Sequence, residues 1–380
     1  MKKLLIATDG FLPRWDGISS FLNEMIPRLK EDYEVTVIAP NLGELKINYG
    51  VKIIRFDIHK LRLGDNYYPC KIKWKILARE IEATDAVFAQ CLGPIGAAAI
   101  TVAKFKKKPS MLYNHMLEWE VFAKSQKGDI MKVPINSAMK LVGKKLYNMC
   151  SLILVSSLEH SDLLTLTGVK SRKMVVHLGV DTRLYKPPAS KAVAKDNLGL
   201  DHMKLVIGYG GRVSYEKDPK TLYRAFRRLA KRHKDVLLLI AGGGHPDLER
   251  MFSGRNNIII SGLKDNLAPY YQAMDIYVLP SLIETTSLTT MEAMATGCAV
   301  VATPVGFVKE YINDGVNGLL FPKKNTFVLY QKLDYLIKNP DIREKLGRNA
   351  RETMVEKYDW SNTYEGIKKA LSELMPIKNS

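Results

Sequence analysis

The sequence predicts an α/β protein made of two doubly wound parallel sheets in tandem, and three observations carry that prediction. Short apolar runs rich in Val and Ile recur along the chain, each followed by a stretch with helical spacing, as in strands buried on both faces of a parallel sheet. The alternation occurs twice within 380 residues, a length that suits two domains of ordinary size. Between the two series lies Gly179-Val-Asp181-Thr-Arg-Leu-Tyr185-Lys-Pro187-Pro188, whose glycine and paired prolines interrupt both periodicities.

In the first series, strands are expected at 4–7, 35–39, 51–56, 86–90, 110–114, 152–156 and 174–177. Helices are expected at 18–30, 71–83, 94–106, 130–149 and 157–167. The second series places strands at 205–208, 236–241, 258–261, 276–279, 299–302 and 318–321, with helices beginning near 219, 247, 266, 287, 306 and 326. The expected organisation is a first domain over 1–180, a hinge at 181–187 and a second domain over 188–360. Ligands of such sheets sit outside the carboxyl ends of the strands, in a cleft that the two domains are expected to face.

Apolar content of 46% and charged content of 25% are those of a soluble globular protein. No run of about twenty apolar residues occurs, and Asp9 interrupts the opening segment too early for a secretory core, so it reads as the first strand of a cytoplasmic protein. Cysteines at 70, 91, 150 and 298 are scattered, which fits four buried thiols better than a disulfide framework or a zinc knuckle. The net charge of +18 asks for an acidic partner, either a phosphorylated small molecule, an anionic membrane surface or nucleic acid. Residues 1–187 hold 29 basic against 18 acidic side chains and the rest 28 against 21, so the excess leans toward the first half. A lysine-rich, thermophile-like surface accounts for it equally well. No recognised nucleic-acid-binding motif appears, and no nucleic-acid partner is expected.

The most informative stretch is Ser281-Leu-Ile-Glu284-Thr-Thr-Ser287-Leu288-Thr-Thr-Met-Glu292-Ala-Met-Ala-Thr-Gly297. Glu284 falls in a loop after the strand at 276–279, and Glu292 about one turn inside the following helix. Two carboxylates thus flank a helix N-terminus, where unpaired N–H groups and a partial positive charge favour a phosphate. A diphosphate with hydroxyl-rich groups at both ends suits that arrangement, and a nucleotide-sugar is such a molecule. Gly208-Tyr-Gly210-Gly211-Arg212-Val-Ser-Tyr-Glu216-Lys217-Asp218-Pro219 leaves a strand and enters a helix, with Asp218 as N-cap and Pro219 as first helical residue. The third glycine of a dinucleotide fingerprint would fall at Val213, so that reading is set aside. Arg212 and Lys217 sit where two cations converge on a diphosphate, although solvated surface cations are the plainer reading of the pair alone. Asp-x-Asp is absent, which removes the usual means of holding a divalent ion against a diphosphate and leaves these cations and the helix dipole to neutralise its charge.

His115 lies just past a strand end, with Glu118 and Glu120 nearby to raise its basicity or to stand in solvent; a structural role is the plainer reading. Gly17, beside a helix start, permits close backbone approach to a ligand. In the helix expected at 130–149, Lys140, Lys144 and Lys145 crowd the polar side, and Lys104, Lys106, Lys107 and Lys108 add a second basic cluster. A basic amphipathic helix lies on an anionic bilayer, whereas an ordinary helix packs its apolar stripe on the sheet.

Together these motifs resemble the retaining glycosyltransferases of family GT4. The resemblance rests on Glu284-x7-Glu292 with the run 292–303, Gly211-Arg212-x4-Lys217, Gly179-Val-Asp181 with Tyr185 and Pro187, and Asn317-Gly318-Leu319-Leu320. It implies the GT-B fold, two Rossmann-like domains facing a cleft, with the second binding the donor and the segment 361–380 crossing back onto the first. It further implies transfer of a hexose from a nucleoside-diphosphate sugar to an acceptor hydroxyl with retained anomeric configuration. Glu284 would bind donor-sugar hydroxyls and Glu292 the ribose. Arg212 and Lys217 would hold the diphosphate with backbone amides near Ser287 and Leu288, while Gly17 and His115 would line the sugar site. No cofactor or metal beyond the donor is expected, and the acceptor is a glycan or a lipid-linked molecule met at the inner face of the membrane. Three positions depart from the family pattern: Asp16-Gly17 replaces a glycine pair, Asp218 a glycine, and Glu284-Thr-Thr-Ser287 the sequence Glu-Gly-Phe-Gly. A GT-B epimerase or phosphorylase, or a basic nucleic-acid-binding protein, are the alternatives.

Overall fold

The structure, a computed structural model, describes residues 1–14, 16–60, 68–115 and 132–376, and the side chains of 132–137 stand outside that description. The chain forms two units, Met1–His177 with Thr363–Ser380, and Leu178–Asn362. In the first unit β1 (Lys2–Ala7), α1 (Gly17–Asp32), β2 (Tyr33–Pro40), β3 (Lys52–Phe56), α2 (Trp74–Glu82) and β4 (Ala86–Ala89) follow one another. Then come α3 (Pro94–Phe105), β5 (Ser110–Asn114), α4 (Lys132–Tyr147), β6 (Leu152–Val155), α5 (Leu158–Leu166) and β7 (Lys173–Val175). The strands pair in parallel in the order β3-β2-β1-β4-β5-β6-β7. Leu4 to Ala7, Ala86 to Ala89 and Met111 to Tyr113 are buried on both faces, which is why they read as unbroken apolar runs.

The second unit contains α6 (Lys191–Asp196), β8 (Leu205–Gly210), α7 (Pro219–Arg232), β9 (Val236–Ala241), α8 (Pro246–Arg250), β10 (Ile258–Ile260), α9 (Ala268–Ala273) and β11 (Ile276–Leu279). It continues with α10 (Leu288–Ala295), β12 (Ala299–Ala302), α11 (Val308–Tyr311), β13 (Leu319–Leu320), α12 (Thr326–Lys338) and α13 (Pro340–Lys357). Its sheet runs β10-β9-β8-β11-β12-β13, again all parallel. The order reverses between β8 and β11, so the loops leaving these two strands meet at the switch point where open α/β sheets take ligands. They are the loops that carry Arg212, Lys217 and Glu284.

The expected strands at 110–114, 236–241, 276–279 and 299–302 coincide with β5, β9, β11 and β12. Residues 181–187, expected as a hinge, belong to the second unit: Val180 N–H donates to Tyr358 O at 2.8 Å, and Arg351 Nη1 donates to the carbonyls of Thr182, Tyr185 and Ala295. The last helix, α14 (Trp360–Leu374), joins the first unit from Thr363 onward. Thr363 Oγ1 donates to His177 O at 2.8 Å, Lys368 pairs with Asp32 at 2.7 Å, and Ile367, Ala370 and Leu371 are fully buried. None of the four cysteines is in a disulfide and all are buried, and among the described residues no helix is long and apolar enough to cross a membrane.

Candidate functional site

The loop after β11 is fixed from behind. Thr303 Oγ1 donates to Ser281 O at 2.6 Å, Phe307 N–H to Thr285 O at 2.8 Å and Tyr311 Oη to Thr286 O at 3.0 Å. A side chain on Gly306 would put its Cβ 2.2 Å from Glu284 O, and φ of +51° there favours glycine as well, so the carbonyls of Glu284 and Thr285 close down on bare backbone. Held in this way, Glu284 points its carboxylate at Lys217, whose Nζ donates to both oxygens at 2.7 and 2.8 Å, while Ser281 Oγ donates to Oε1 at 2.7 Å. Leu282 N–H donates to Glu216 O at 2.8 Å and stitches the two loops together.

Ser287 precedes α10 with φ of +59°, a left-handed conformation that costs a serine about 1–2 kcal/mol. In that conformation its hydroxyl turns to Thr290 Oγ1 at 2.8 Å and does not cap the helix. The N–H groups of Leu288 and Thr289 donate to no oxygen among the described residues, so the positive end of α10 is open. The buried hydroxyl of Thr286 beside them is without a partner as well.

Across the switch point, the glycines of the β8 loop have packing reasons. A Cβ on Gly208 would strike Met274 Sδ at 2.1 Å, and one on Gly210 the Tyr271 ring at 2.5 Å. Gly211 turns the chain with φ of +117°, and Tyr209 Oη then holds Arg212 O at 2.6 Å. Arg212 is 72% exposed and stands 3.8 Å from Glu216, whereas Lys217 is 21% exposed and engaged with Glu284. Asp218 corrects an expectation. It precedes α7 in a left-handed conformation, φ +45°, and its carboxylate accepts from Thr221 Oγ1 at 2.6 Å instead of from helix amides, because only an extended N-cap aims its side chain at those amides.

Glu292 sits one turn inside α10, between Tyr271 and Tyr185. Burial pushes its carboxyl up to about 7, and the two neighbouring hydroxyls offset only part of that rise. The Tyr271 hydroxyl is itself fully buried without a well-aligned hydrogen-bond partner. Tyr277 Oη reaches Thr289 Oγ1 at 3.1 Å and closes the floor under the helix start. Lys217, Glu284, Ser287, Leu288 and Glu292 are thus gathered around one helix end. Arg212 is nearby in the chain but projects into solvent.

Gly17 and His115 lie in the first unit. Gly17 is the first residue of α1, where an added Cβ would meet nothing within 4 Å, so no packing demand explains the glycine. His115 follows β5, stacks on Tyr113 at 4.5 Å, meets Phe21 edge-on at 5.0 Å and shares a 3.1 Å hydrogen bond with Gln90. Burial pushes it down to about 3, against a smaller opposing pull from Asp16. Its basicity is therefore lowered, and the imidazole is neutral at pH 7; Glu118 and Glu120, the neighbours considered for raising it, lie outside the described residues.

Two kinds of residue escaped the sequence reading. Ser281 and Gly306 support the loop from either side, and a glycine three residues after Thr303 at a strand end was a readable signal for the second. Tyr271 comes from α9, and no local pattern connects it to Glu292.

The family Glycosyl transferases group 1 matches residues 190–353, and Glycosyltransferase Family 4 matches residues 15–184. An uncharacterized glycosyltransferase of Methanocaldococcus jannaschii is 28% identical over 227 residues, 57% of this chain and 58% of its own length. A D-inositol 3-phosphate glycosyltransferase of Saccharomonospora viridis is 30% identical over 213 residues, 52% of this chain and 49% of its own. The chain thus spans about half the length of these curated relatives. HepE of Anabaena in complex with UDP has a TM-score of 0.81 at 18% identity, covering 98% of this chain and 100% of that one; its complex with UDP-glucose gives 0.75 at 19%, with the same coverage. At such identity the likeness establishes the fold, the GT-B architecture of two Rossmann-like domains. With one family matched on each unit, the chain belongs to the group 1 glycosyltransferases of the family 4 type.

Proposed function

We propose that the protein transfers a hexose from a nucleoside-diphosphate sugar to an acceptor hydroxyl with retention of anomeric configuration. The observation that carries this reading is the uncapped N-terminus of α10 with Lys217 and Glu284 on one side and Glu292 on the other. That HepE binds UDP and UDP-glucose supports a nucleotide-sugar as donor. Leu288 and Thr289 N–H and Lys217 take the diphosphate, and Arg212 swings in from solvent to complete the charge. Glu284 accepts hydroxyls of the sugar and Glu292 those of the ribose. Lys217 meets the donor already oriented by Glu284, so binding trades one anionic partner for another. In a front-face displacement the departing phosphate oxygen accepts the acceptor proton while Lys217, Arg212 and the helix end stabilise the developing charge. Gly17 and the neutral His115 are assigned to substrate in the first unit, His115 as a hydrogen-bonding group and not a cation.

For the acceptor we infer a lipid or lipid-linked glycan, met by an enzyme bound peripherally at the cytoplasmic face of a membrane. In α4, Leu141 is 70% exposed and Val142 53%, beside Lys140, Lys144 and Lys145, so this part of the helix does not pack its apolar side on the sheet.

A thermal-shift panel of nucleotide-sugars tests the donor. One of them should stabilise the protein selectively, and Glu284→Ala should abolish that shift. No response to any nucleotide-sugar would overturn the reading. Nucleotide release should then require acceptor and persist in excess EDTA, the latter because Asp-x-Asp is missing and cations take its place.

A further inference from the structure

The outward face of α7 carries a charge pattern that the donor site does not use. Residues 219–234 contain seven Lys and Arg and no Asp or Glu. Arg224, Arg228 and Arg232 fall on one stripe, Arg227 and Lys231 on the next, so like charges stack at i,i+4, a spacing that weakens a helix. Among the described residues none of these five cations forms an ion pair. Asp334 of α12, which lines one hollow together with Arg232, is taken at 2.6 Å by both His233 and Lys338.

Aromatic rings hold the guanidinium groups in place. Arg228 lies 5.9 Å over both Phe327 and Tyr330, Arg232 5.9 Å over Tyr330, and Arg227 and Arg255 each 5.8 Å over Tyr223. Phe327 remains 53% exposed. Two shallow hollows border this face, about 340 Å³ between Arg224, Arg227, Arg228, Lys231 and Thr326, and about 490 Å³ beside Arg232 and Tyr335.

We propose that the α7–α12 face of the second unit is a docking surface for an anionic phospholipid bilayer. Three features select a bilayer among polyanions. The ring faces of Tyr223, Tyr330 and Phe327 already carry guanidinium groups, which leaves them unavailable to stack on the bases of a single strand. Two helices side by side offer a broad ridge, not an element that enters a groove. Five unpaired cations with a half-exposed phenylalanine among them match a plane of phosphate headgroups over an apolar layer. The proposal rests on the reading of an enzyme that works at a membrane and gives it a second surface, separate from α4.

Cosedimentation of the full chain with phosphatidylcholine vesicles, with and without phosphatidylglycerol, provides the test. Binding should require phosphatidylglycerol and weaken with salt. With each cation near the surface contributing about fivefold, the combined variant Arg224→Gln, Arg227→Gln, Arg228→Gln, Lys231→Gln should bind several hundredfold more weakly. Its nucleotide-sugar thermal shift should be unchanged, which shows that it is folded and that the donor site is intact. A parallel variant, Lys140→Gln with Lys144→Gln and Lys145→Gln, separates the contribution of α4. Vesicle binding equal to wild type in the α7 variant, or no binding of the wild type to anionic vesicles, overturns the proposal while leaving donor binding and transfer to stand. So does a single-stranded oligonucleotide whose binding, and not that of vesicles, is lost in the variant.

Discussion

The two units present the same element at the same place and treat it in opposite ways. In the first, both helices at the switch point start under an aspartate of the chain itself. Asp16 Oδ1 accepts from Ile18 and Ser19 N–H at 3.0 and 2.9 Å, and Asp9 accepts from Ile95 and Gly96 N–H at 3.0 and 3.1 Å. In the second, α7 and α10 both begin after a left-handed residue, Asp218 and Ser287, whose side chain turns away from the helix amides. One sheet has filled its anion sites with its own carboxylates and the other has kept one open at the cost of backbone strain. The lesson is that a parallel sheet with helices offers phosphate sites by default, and the residue before each helix decides which survive.

The sharpest way to break this contrast is to remove the groups around the open helix end. Glu284→Ala and Lys217→Ala should each lower turnover about ten- to a hundredfold, the equivalent of losing one hydrogen bond to a charged group, with the thermal unfolding of the free protein still cooperative. Steady-state nucleotide release with the donor found by thermal shift is the measurement; undiminished activity in either folded variant removes that residue from the mechanism.

Next in size is a pH effect, with the same sign in both units. Burial lifts Asp9 from 3.8 to about 6 and Glu292 from 4.5 to about 7 in the folded chain. A folded state that holds these protons more tightly than the unfolded chain is favoured at low pH. The contribution is complete below the ordinary values and is lost as pH rises through 6 for Asp9 and 7 for Glu292. Denaturant titrations across that range should show a loss of stability that shrinks in Asp9→Asn and in Glu292→Gln, by up to about 3 kcal/mol each. Superimposable pH profiles of variant and wild type would remove the buried-carboxyl account.

Asp9→Ala should turn a closed helix end into an open one. Two buried N–H groups lose their acceptor, at about 1–3 kcal/mol, and part of that loss should be recovered by sulfate, which should stabilise the variant more than the wild type. If sulfate has no larger effect on the variant, the closed ends of the first unit are not latent anion sites. The smallest effect is expected from Ser287→Gly, which relieves the left-handed strain and should raise stability by about 1 kcal/mol while weakening donor binding through the lost Ser287–Thr290 contact. A loss of stability would mean that the hydroxyl matters more than the backbone.

How much of this was legible in the sequence depends on whether the cause was local. Strands such as 236–241 and 276–279 announce themselves because burial on both faces demands an unbroken apolar run. Glu284, Lys217 and Glu292 were legible because each has a fixed offset from a strand end or a helix start. The eighteen residues of α13 were not, since its buried side is made of Leu346, Gly347, Ala350 and Met354, too small and sparse for an apolar stripe, although Pro340 at its start was a fair signal. The closure of α3 by Asp9 and the pairing of Glu292 with Tyr271 each join residues far apart in the chain, and no window of sequence contains them.

The last helix sets an order of events during synthesis. The first unit needs Thr363, Ile367, Ala370 and Leu371, which leave the ribosome only after the whole of 178–362 has emerged. At ordinary elongation rates that interval is on the order of ten to forty seconds. The contiguous second unit can fold in that time, while the first, begun earlier, waits with the seat of α14 uncovered around Val176, His177 and Asp32. The half of the protein that is translated first is therefore completed last.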